Sequence, residues 1–319
     1  MTIAIGAYGP RAGQAVYESL RAAERVGTGS LGGFASFAAI TADGRLIRAE
    51  TQRGGAGTLF TAGERTGVAP PSDIADAIAA AVIASGPDRP EPLAQFVPAD
   101  GRVGLVTGHR LPQSTGIDGR PLNVATFEGL RAGLSSETAI AHVLDANPEA
   151  DAGLLAVDLK GDVAASNSAR VRRRHDFGLA HRESKAHNAR VAVLQNSVKP
   201  YPSLANLIAD IALDVIMGEP ASNGTIVVKA GTTVKLGSEA LIEVDAGLVA
   251  ARLVTTDPLV MKGAHICAPI YAGSPIYRAG QLIGYSRLEP IIELMDGRIM
   301  SLIGPSSLHI DYTSEPPAR

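Results

Sequence analysis

Apolar residues in this chain come in short, nearly unbroken runs, and the polar positions between them set the expected elements. Thr2 to Ala7 (TIAIGA) predicts a strand, which Tyr8-Gly9-Pro10 breaks ahead of a helix beginning at Arg11. In that helix Val16, Leu20 and Ala23 share a face, while Glu18, Arg21 and Glu24 turn to water. Phe34, Phe37 and Ile40, the turn Ala42-Asp43-Gly44, and Leu46-Ile47 predict an antiparallel pair over 34–53. Ser72 reads as the N-cap of a helix in DIADAIAAAVIAS, with Ile74, Ile78, Ala81 and Val82 on one face and a stop at Gly86-Pro87. The four prolines of residues 86–98 (GPDRPEPLAQFVP) predict a stiff surface loop or extended arm.

Further on, Val103 to Thr107 predicts a buried strand ending in Gly108-His109-Arg110. Leu122 to Ala132 and Ser135 to Ala146 predict two short helices parted by Gly133. Gly153 to Asp158 and Asp162 to Ser166 form a second hairpin, Arg190 to Gln195 another strand, and Ser203 to Met217 the clearest amphipathic helix. After Gly218-Glu219-Pro220 the character changes to short β-rich runs between glycine turns, among them TIVVKAG, TVKLGSEALIEV and SPIYRAGQLIGYS. The expected organisation is therefore an α+β domain over 1–220 and a smaller all-β domain over 221–319, whose tail from Ser314 frays.

Composition narrows the class of partner. A chain of 319 residues with 45% hydrophobic content can fill a sizeable core. With only 4% aromatics and no tryptophan, Ala, Val, Ile and Leu must do the packing. A formal charge of -3 leaves no basic footprint for nucleic acid or anionic lipid, despite the local run Arg170, Arg172, Arg173, Arg174. A single cysteine, Cys267, excludes an intrachain disulfide framework. The N-terminus does not resemble a signal peptide, and no run approaches the roughly 18 apolar residues of a membrane span. A cytoplasmic protein acting on a small molecule, without nucleic acid or membrane, is the expectation.

The glycines at 27, 29, 32 and 33 raise the question of a phosphate cradle. Such a cradle needs a helix opening directly behind it, and the residues that follow read as extended. Thr28 and Ser30 sit among these glycines, whose N–H groups could serve an oxyanion, or the glycines simply let two layers pack closely. The two hairpins, GFASFAAITADGRLIRAETQRGG and DAGLLAVDLKGDVAASNSARV, echo one another: each runs small and apolar, turns through glycine and returns toward polar residues.

That pattern resembles the N-terminal-nucleophile (Ntn) hydrolases, in particular the isoaspartyl peptidase and glycosylasparaginase branch, whose catalytic strand pair reads approximately T-V-G-A-V-A-L-D-x-x-G-N-x-A-A-A-T-S-T-G-G. The resemblance reaches over the first two thirds of the chain at most. It implies an αββα four-layer sandwich and a Thr, Ser or Cys at a freed N-terminus that attacks an amide. The sequence departs from the family at that position: aligning Gly161 with the turn glycine puts Asp151 there, and aligning Gly44 puts Phe34 there. The remaining nucleophiles are Thr2, exposed by removal of Met1, and Thr28 or Ser30, exposed by self-cleavage.

Around such a nucleophile the candidates are these. His109 is the general base, since histidine alone has an unperturbed pKa near neutrality, or else a strand-end cap. Gln52 and Arg53 stand where the family has its TSTGG residues, and Asn167 occupies the matching place in the second hairpin. Arg53, Arg89 and Arg110 are anion clamps, with a surface pair to Glu50 or Glu64 as the alternative for Arg53 and ordering of the proline arm as that for Arg89. Asn123 binds substrate or caps the helix after Pro121. His265 and Cys267 share a strand face but stand too far apart for a dyad. His175, His181 and His187 read as a polar loop, with no metal and no cofactor expected. The C-terminal runs VKAGTTVKLG and IYRAGQLIG resemble barrel-sandwich hybrid domains of the lipoyl type; Lys262 lacks the neighbours of a carrier lysine, so this domain reads as structural or as a homo-oligomer contact. The functional expectation is an amidohydrolase cleaving a small-molecule amide or related C–N bond, with a catalytically silent metabolite-binding or scaffold protein as the alternative.

Overall fold

The structure is a computed structural model that describes residues 1–218 and 222–316. It is a mixed α+β chain that divides into two compact units, 1–219 and 220–319. The boundary residue expected from the sequence, Pro220, lies outside the described residues, as do the last three residues of the expected frayed tail.

In the first unit the strands are β1 (Thr2–Tyr8), β2 (Ala35–Ile40), β3 (Leu46–Thr51), the two-residue pair β4 (Thr61–Ala62) and β5 (Arg65–Thr66), β6 (Ala79–Ser85), β7 (Ala99–Asp100), β8 (Gly104–Arg110), β9 (Ala152–Asp158), β10 (Val163–Asn167), β11 (Phe177–Ser184) and β12 (Ala189–Asn196). The main helices are α1 (Ala12–Val26), α4 (Leu122–Arg131), α5 (Ser136–Ala146) and α7 (Tyr201–Met217), with single turns at α2 (Ala56–Leu59), α3 (Ser72–Ala75) and α6 (Ala169–Arg172). Six strands form one antiparallel sheet in the order β11-β12-β1-β6-β2-β3, and four form a second in the order β10-β9-β8-β7.

Strand parity sorts the core. Ile3 and Ile5 of β1 pack with Val16, Leu20 of α1 and Ile208, Ala212 of α7. Ala4 of the same strand joins Ile83 and Leu194 from its own sheet, Phe34 just ahead of β2, and Leu105, Leu155 and Val157 from the other sheet. On the far side of the second sheet, Val106 and Leu154 pack with Leu122, Phe127 and Ile140 of α4 and α5. Both sheets are thus covered on both faces, which explains why their strands read as unbroken apolar runs.

This double burial overturns the helix expected over 72–85. Only Ser72–Ala75 is helical, and Ala79–Ser85 is a central strand with all seven residues buried between β1 and β2. A fully apolar run satisfies a helical face and a two-sided strand equally, and length and neighbours decide. The loop expected around His175 to His187 is corrected too: Phe177–Ser184 is the edge strand β11, paired along its length with β12. The proline-rich segment ends in a 3-10 turn, Leu93–Phe96, whose Leu93 and Phe96 are buried between the sheets, so it is only partly a surface arm. After Gly33 the chain enters β2 without a helix, and a side chain at Gly33 would meet the Gly86 carbonyl at 1.8 Å. The glycine there serves close backbone approach.

The second unit is built, among the described residues, from strands and one 3-10 turn. Its strands are β13 (Gly224–Lys229), β14 (Thr233–Leu236), β15 (Leu241–Val244), β16 (Ala250–Thr255), β17 (Ala264–Cys267), β18 (Pro275–Arg278), β19 (Gln281–Ser286), β20 (Ile292–Met295), β21 (Arg298–Ser301) and β22 (Ser307–Thr313). They share one ten-stranded sheet with both parallel and antiparallel neighbours, around a core that includes Ile226, Leu253, Ile276, Ile292 and Ile310. No described helix is long and apolar enough to cross a membrane.

Candidate functional site

The polar residues that matter lie where apolar runs end. Thr2 opens β1, and in register it stands between Ser85, the last residue of β6, and Asn196, the last of β12. By strand parity all three share the face of Ala4, Ile83 and Leu194, which looks onto the second sheet. From that sheet His109 of β8 and Asn167 of β10 share the parity of Leu105 and Val163 and look back. Exposure of these five residues is 4% or less.

His109 and Asn167 meet over Gly153. In register Gly153 of β9 lies between them, and His109 Nε2 donates to Asn167 Oδ1 at 2.6 Å. Three buried polar atoms of this group have no partner: His109 Nδ1, Asn167 Nδ2 and Asn196 Oδ1. The Asn196 amide is near enough to the ring to influence its protonation without closing a well-shaped bond. Buried polar groups are normally satisfied, so three orphans in one place mark a site arranged for polar atoms beyond its own side chains.

Burial dominates the electrostatics of His109. Loss of water pushes its pKa down to about 4, Asn167 and Asp151 resist, and Arg110 adds to the depression. The ring is therefore neutral at pH 7. Two strand ends beside the site carry left-handed backbone, Arg110 (φ 64) after His109 and Ser197 (φ 58) after Asn196. Arg110 is held by Asp151 through two bonds of 2.5 and 3.0 Å and approaches Asp176 at 3.9 Å. Asp176 accepts from Ser197 Oγ at 2.6 Å, and Arg174, then Ser197 and Arg110, hold its carboxyl well below the usual carboxylate range. The amine of Met1 sits in the same field: burial first, then Arg89 and Arg110, lower its pKa, and Asp176 opposes them.

The sequence candidates separate in the structure. His109, Asn167, Arg110 and Arg89 converge on this end of the sheets; Arg89 Nε donates to Ser85 Oγ at 3.2 Å. His109 lies within the strand, which runs on to Arg110 and not only to the expected Thr107, and it is fully buried. Gln52 and Arg53 instead hold the proline arm: Gln52 bonds the backbone of Arg89 and the Glu91 carboxylate, and Arg53 pairs with Asp88 at 2.8 Å, not with Glu50 or Glu64. Asn123 is buried, donates to Gln95 O at 2.8 Å and accepts from Val124 N, so it stitches α4 to the 3-10 turn. The position ahead of α4 belongs to Pro121 without a side-chain cap.

Thr28 and Ser30 are exposed and head no main strand. Thr28 exchanges backbone bonds with Lys199, and the Ser30 N–H donates to Met1 Sδ at 3.0 Å. In the second unit His265 Nε2 donates to Lys262 O at 2.7 Å and is not joined to Cys267, whose thiol pKa is pushed up by burial. A cavity of about 400 Å³ between α5, β10 and β11, lined by Glu137, Asp145, Asp162, Arg172 and His181, includes none of the converging residues.

Sequence reasoning missed Ser85, Asn196, Gly153 and Asp176. For Ser85 and Asn196 the available signal was a polar residue falling on inward parity at the end of an apolar run, as in AAAVIAS and RVAVLQN. A second family model, Domain of unknown function (DUF7259), matches residues 231–307 in the β-rich unit. No curated protein matches the chain. Residues 2–225, which take in Thr2, Ser85, Arg89, His109, Asn167 and Asn196, match the model for Domain of unknown function (DUF6963), and the chain belongs to that family.

Proposed function

We propose that the first unit is an Ntn-type amidohydrolase whose nucleophile is Thr2, freed by cleavage of the Met1–Thr2 bond. The observation that carries this reading is the position of Thr2 at the head of a central strand, between Ser85 and Asn196, on the face that looks toward His109 and Asn167. Helices packed on the outer face of each sheet, with an apolar cluster between the sheets, support the αββα layering of that class.

In this mechanism Thr2 Oγ attacks the carbonyl carbon of a small amide. The freed α-amine of Thr2 takes the hydroxyl proton and passes it to the leaving nitrogen; water then hydrolyses the ester by the same route. An amine can do this near pH 7 only with a lowered pKa, and burial, Arg89 and Arg110 already act in that direction on the Met1 amine. Asn167 Nδ2, a buried donor without a partner, serves the oxyanion. His109, neutral and fixed through Nε2, orients Asn167 and is a weak base with a pKa of about 4. Thr28 and Ser30 stand on the exposed glycine loop, where the Ser30 N–H donates to Met1 Sδ.

The test is the mass of the purified chain followed by turnover of a panel of small amides by Thr2→Ala, Thr2→Ser and Thr2→Cys variants. The reading requires a chain beginning at Thr2, activity lost in Thr2→Ala and retained in part by Ser or Cys. A chain keeping Met1 and turning over nothing overturns the Thr2 reading and favours the silent metabolite-binding alternative or a different mechanism.

A further inference from the structure

We propose that Arg89 is a built carboxylate site, so that the substrate of the Thr2 centre is a small amide carrying its own free carboxylate. The word substrate rests on the hydrolase reading above; the anion site does not. Most arginines near this end are already committed. Arg110 is engaged by Asp151 and Asp176, Arg174 by Asp176, and Arg53 by Asp88. Arg89 is half-buried, and among the described residues it has no acidic partner. Its Nε is spent on Ser85 Oγ, next to Thr2 in register, which leaves the two terminal nitrogens of the fork for a ligand. A planar guanidinium presenting two parallel N–H groups matches a carboxylate.

The residue is also held in place. Gln52 grips both backbone groups of Arg89: its Nε2 donates to Arg89 O at 2.6 Å, and its Oε1 accepts from Arg89 N at 3.0 Å. The same Nε2 donates to Glu91 Oε1 at 2.9 Å, and Arg53 secures Asp88 just ahead. A side-chain amide that imitates a strand partner for one residue fixes that residue's backbone, and with it the direction of the guanidinium. Gln52 is thus a positioning residue for Arg89. An unpaired, half-buried cation fixed this way beside the proposed nucleophile selects for negative charge at short reach from the scissile bond.

Two measurements test this on the full-length, purified chain. Succinate binding by calorimetry should be saturable in the wild type, weakened about tenfold or more by Arg89→Met, partly restored by Arg89→Lys, and unchanged by Arg45→Met at the remote hairpin turn. In parallel, succinic acid mono-4-nitroanilide is compared with butyric acid 4-nitroanilide, which has the same length without the carboxylate. The succinyl compound should be preferred, Arg89→Met should raise its KM about tenfold or more with little change in kcat, and the butyryl compound should respond to neither. Gln52→Leu should raise KM for the succinyl compound alone. Succinate that does not bind, that binds Arg89→Met equally, or that is displaced by far tighter inorganic phosphate overturns the carboxylate site. Arg89-dependent succinate binding with neither anilide cleaved leaves the anion site standing and overturns the hydrolase reading.

Discussion

His109 and Asn167 reach across Gly153 and join at 2.6 Å from strands that are not neighbours in the sheet. The bridge exists because the middle strand offers no side chain there: a Cβ on Gly153 would stand 2.2 Å from Asn167 Oδ1 and 2.4 Å from His109 Nε2. Gly153→Ala should therefore part the pair and lower stability by about 1–3 kcal/mol, as overpacking of a rigid core does. A urea unfolding midpoint unchanged from wild type would show that the pair relaxes freely around an added methyl.

The buried, neutral state of His109 makes the fold acid-sensitive in a defined window. Its pKa in the folded chain is about 4 against an ordinary 6.5, so between these values the unfolded chain binds more protons. Stability falls as pH drops from 6.5 toward 4, by on the order of 3 kcal/mol in all. The depressed carboxyls of Asp151 and Asp176 lose their contributions only below the ordinary aspartate range, so the two effects separate along the pH axis. Urea midpoints from pH 7 to 4 for wild type and His109→Gln should diverge at neutral pH and converge on acidification.

Asn167 links the histidine to the proposed chemistry. Asn167→Ala should reduce kcat by about 10²–10³, the usual effect of losing one oxyanion donor, with KM little changed. Asn167→Asp should place a carboxylate on Nε2 and raise the His109 pKa, read by NMR titration of the ring. A ring that titrates at the wild-type value in Asn167→Asp would break the proposed contact.

Thr2 and the glycine-loop residues give opposite expectations. Ser30→Ala and Thr28→Ala should keep turnover within about threefold of wild type, since surface substitutions away from the reacting atoms rarely do more. Loss of activity in Ser30→Ala with activity kept in Thr2→Ala would return the nucleophile to the loop.

Arg110 depends on Asp151. Side-chain exposures of 13% and 22% place this pair between surface and core. Asp151→Asn should cost about 1–2 kcal/mol and leave Arg110 held by Asp176 alone. Thermal unfolding of Asp151→Asn and of Asp151→Asn/Asp176→Asn measures whether the second carboxylate carries that load.

Much of the fold was legible along the chain. Both hairpins, the helices at 12–26, 122–131, 136–146 and 201–217, and the change to short strands after residue 220 follow from local periodicity and turn residues. Ala79–Ser85 was not legible, because a run buried on two faces carries no polar rhythm to separate strand from helix. The site was legible only in pieces: His109, Asn167, Arg89 and Arg110 were named, but their relation to Thr2, Ser85 and Asn196 was not. The pairings that set Ser85 and Asn196 beside Thr2 join residues 83 and 194 positions apart, and no window along the chain spans them. What the sequence alone determined was where the hairpins turn, where the long helices lie and where the chain changes to short strands; what tertiary structure decided was that Ala79–Ser85 is a strand and which strand ends meet, because pairing order and sheet stacking are set by burial summed over the whole unit.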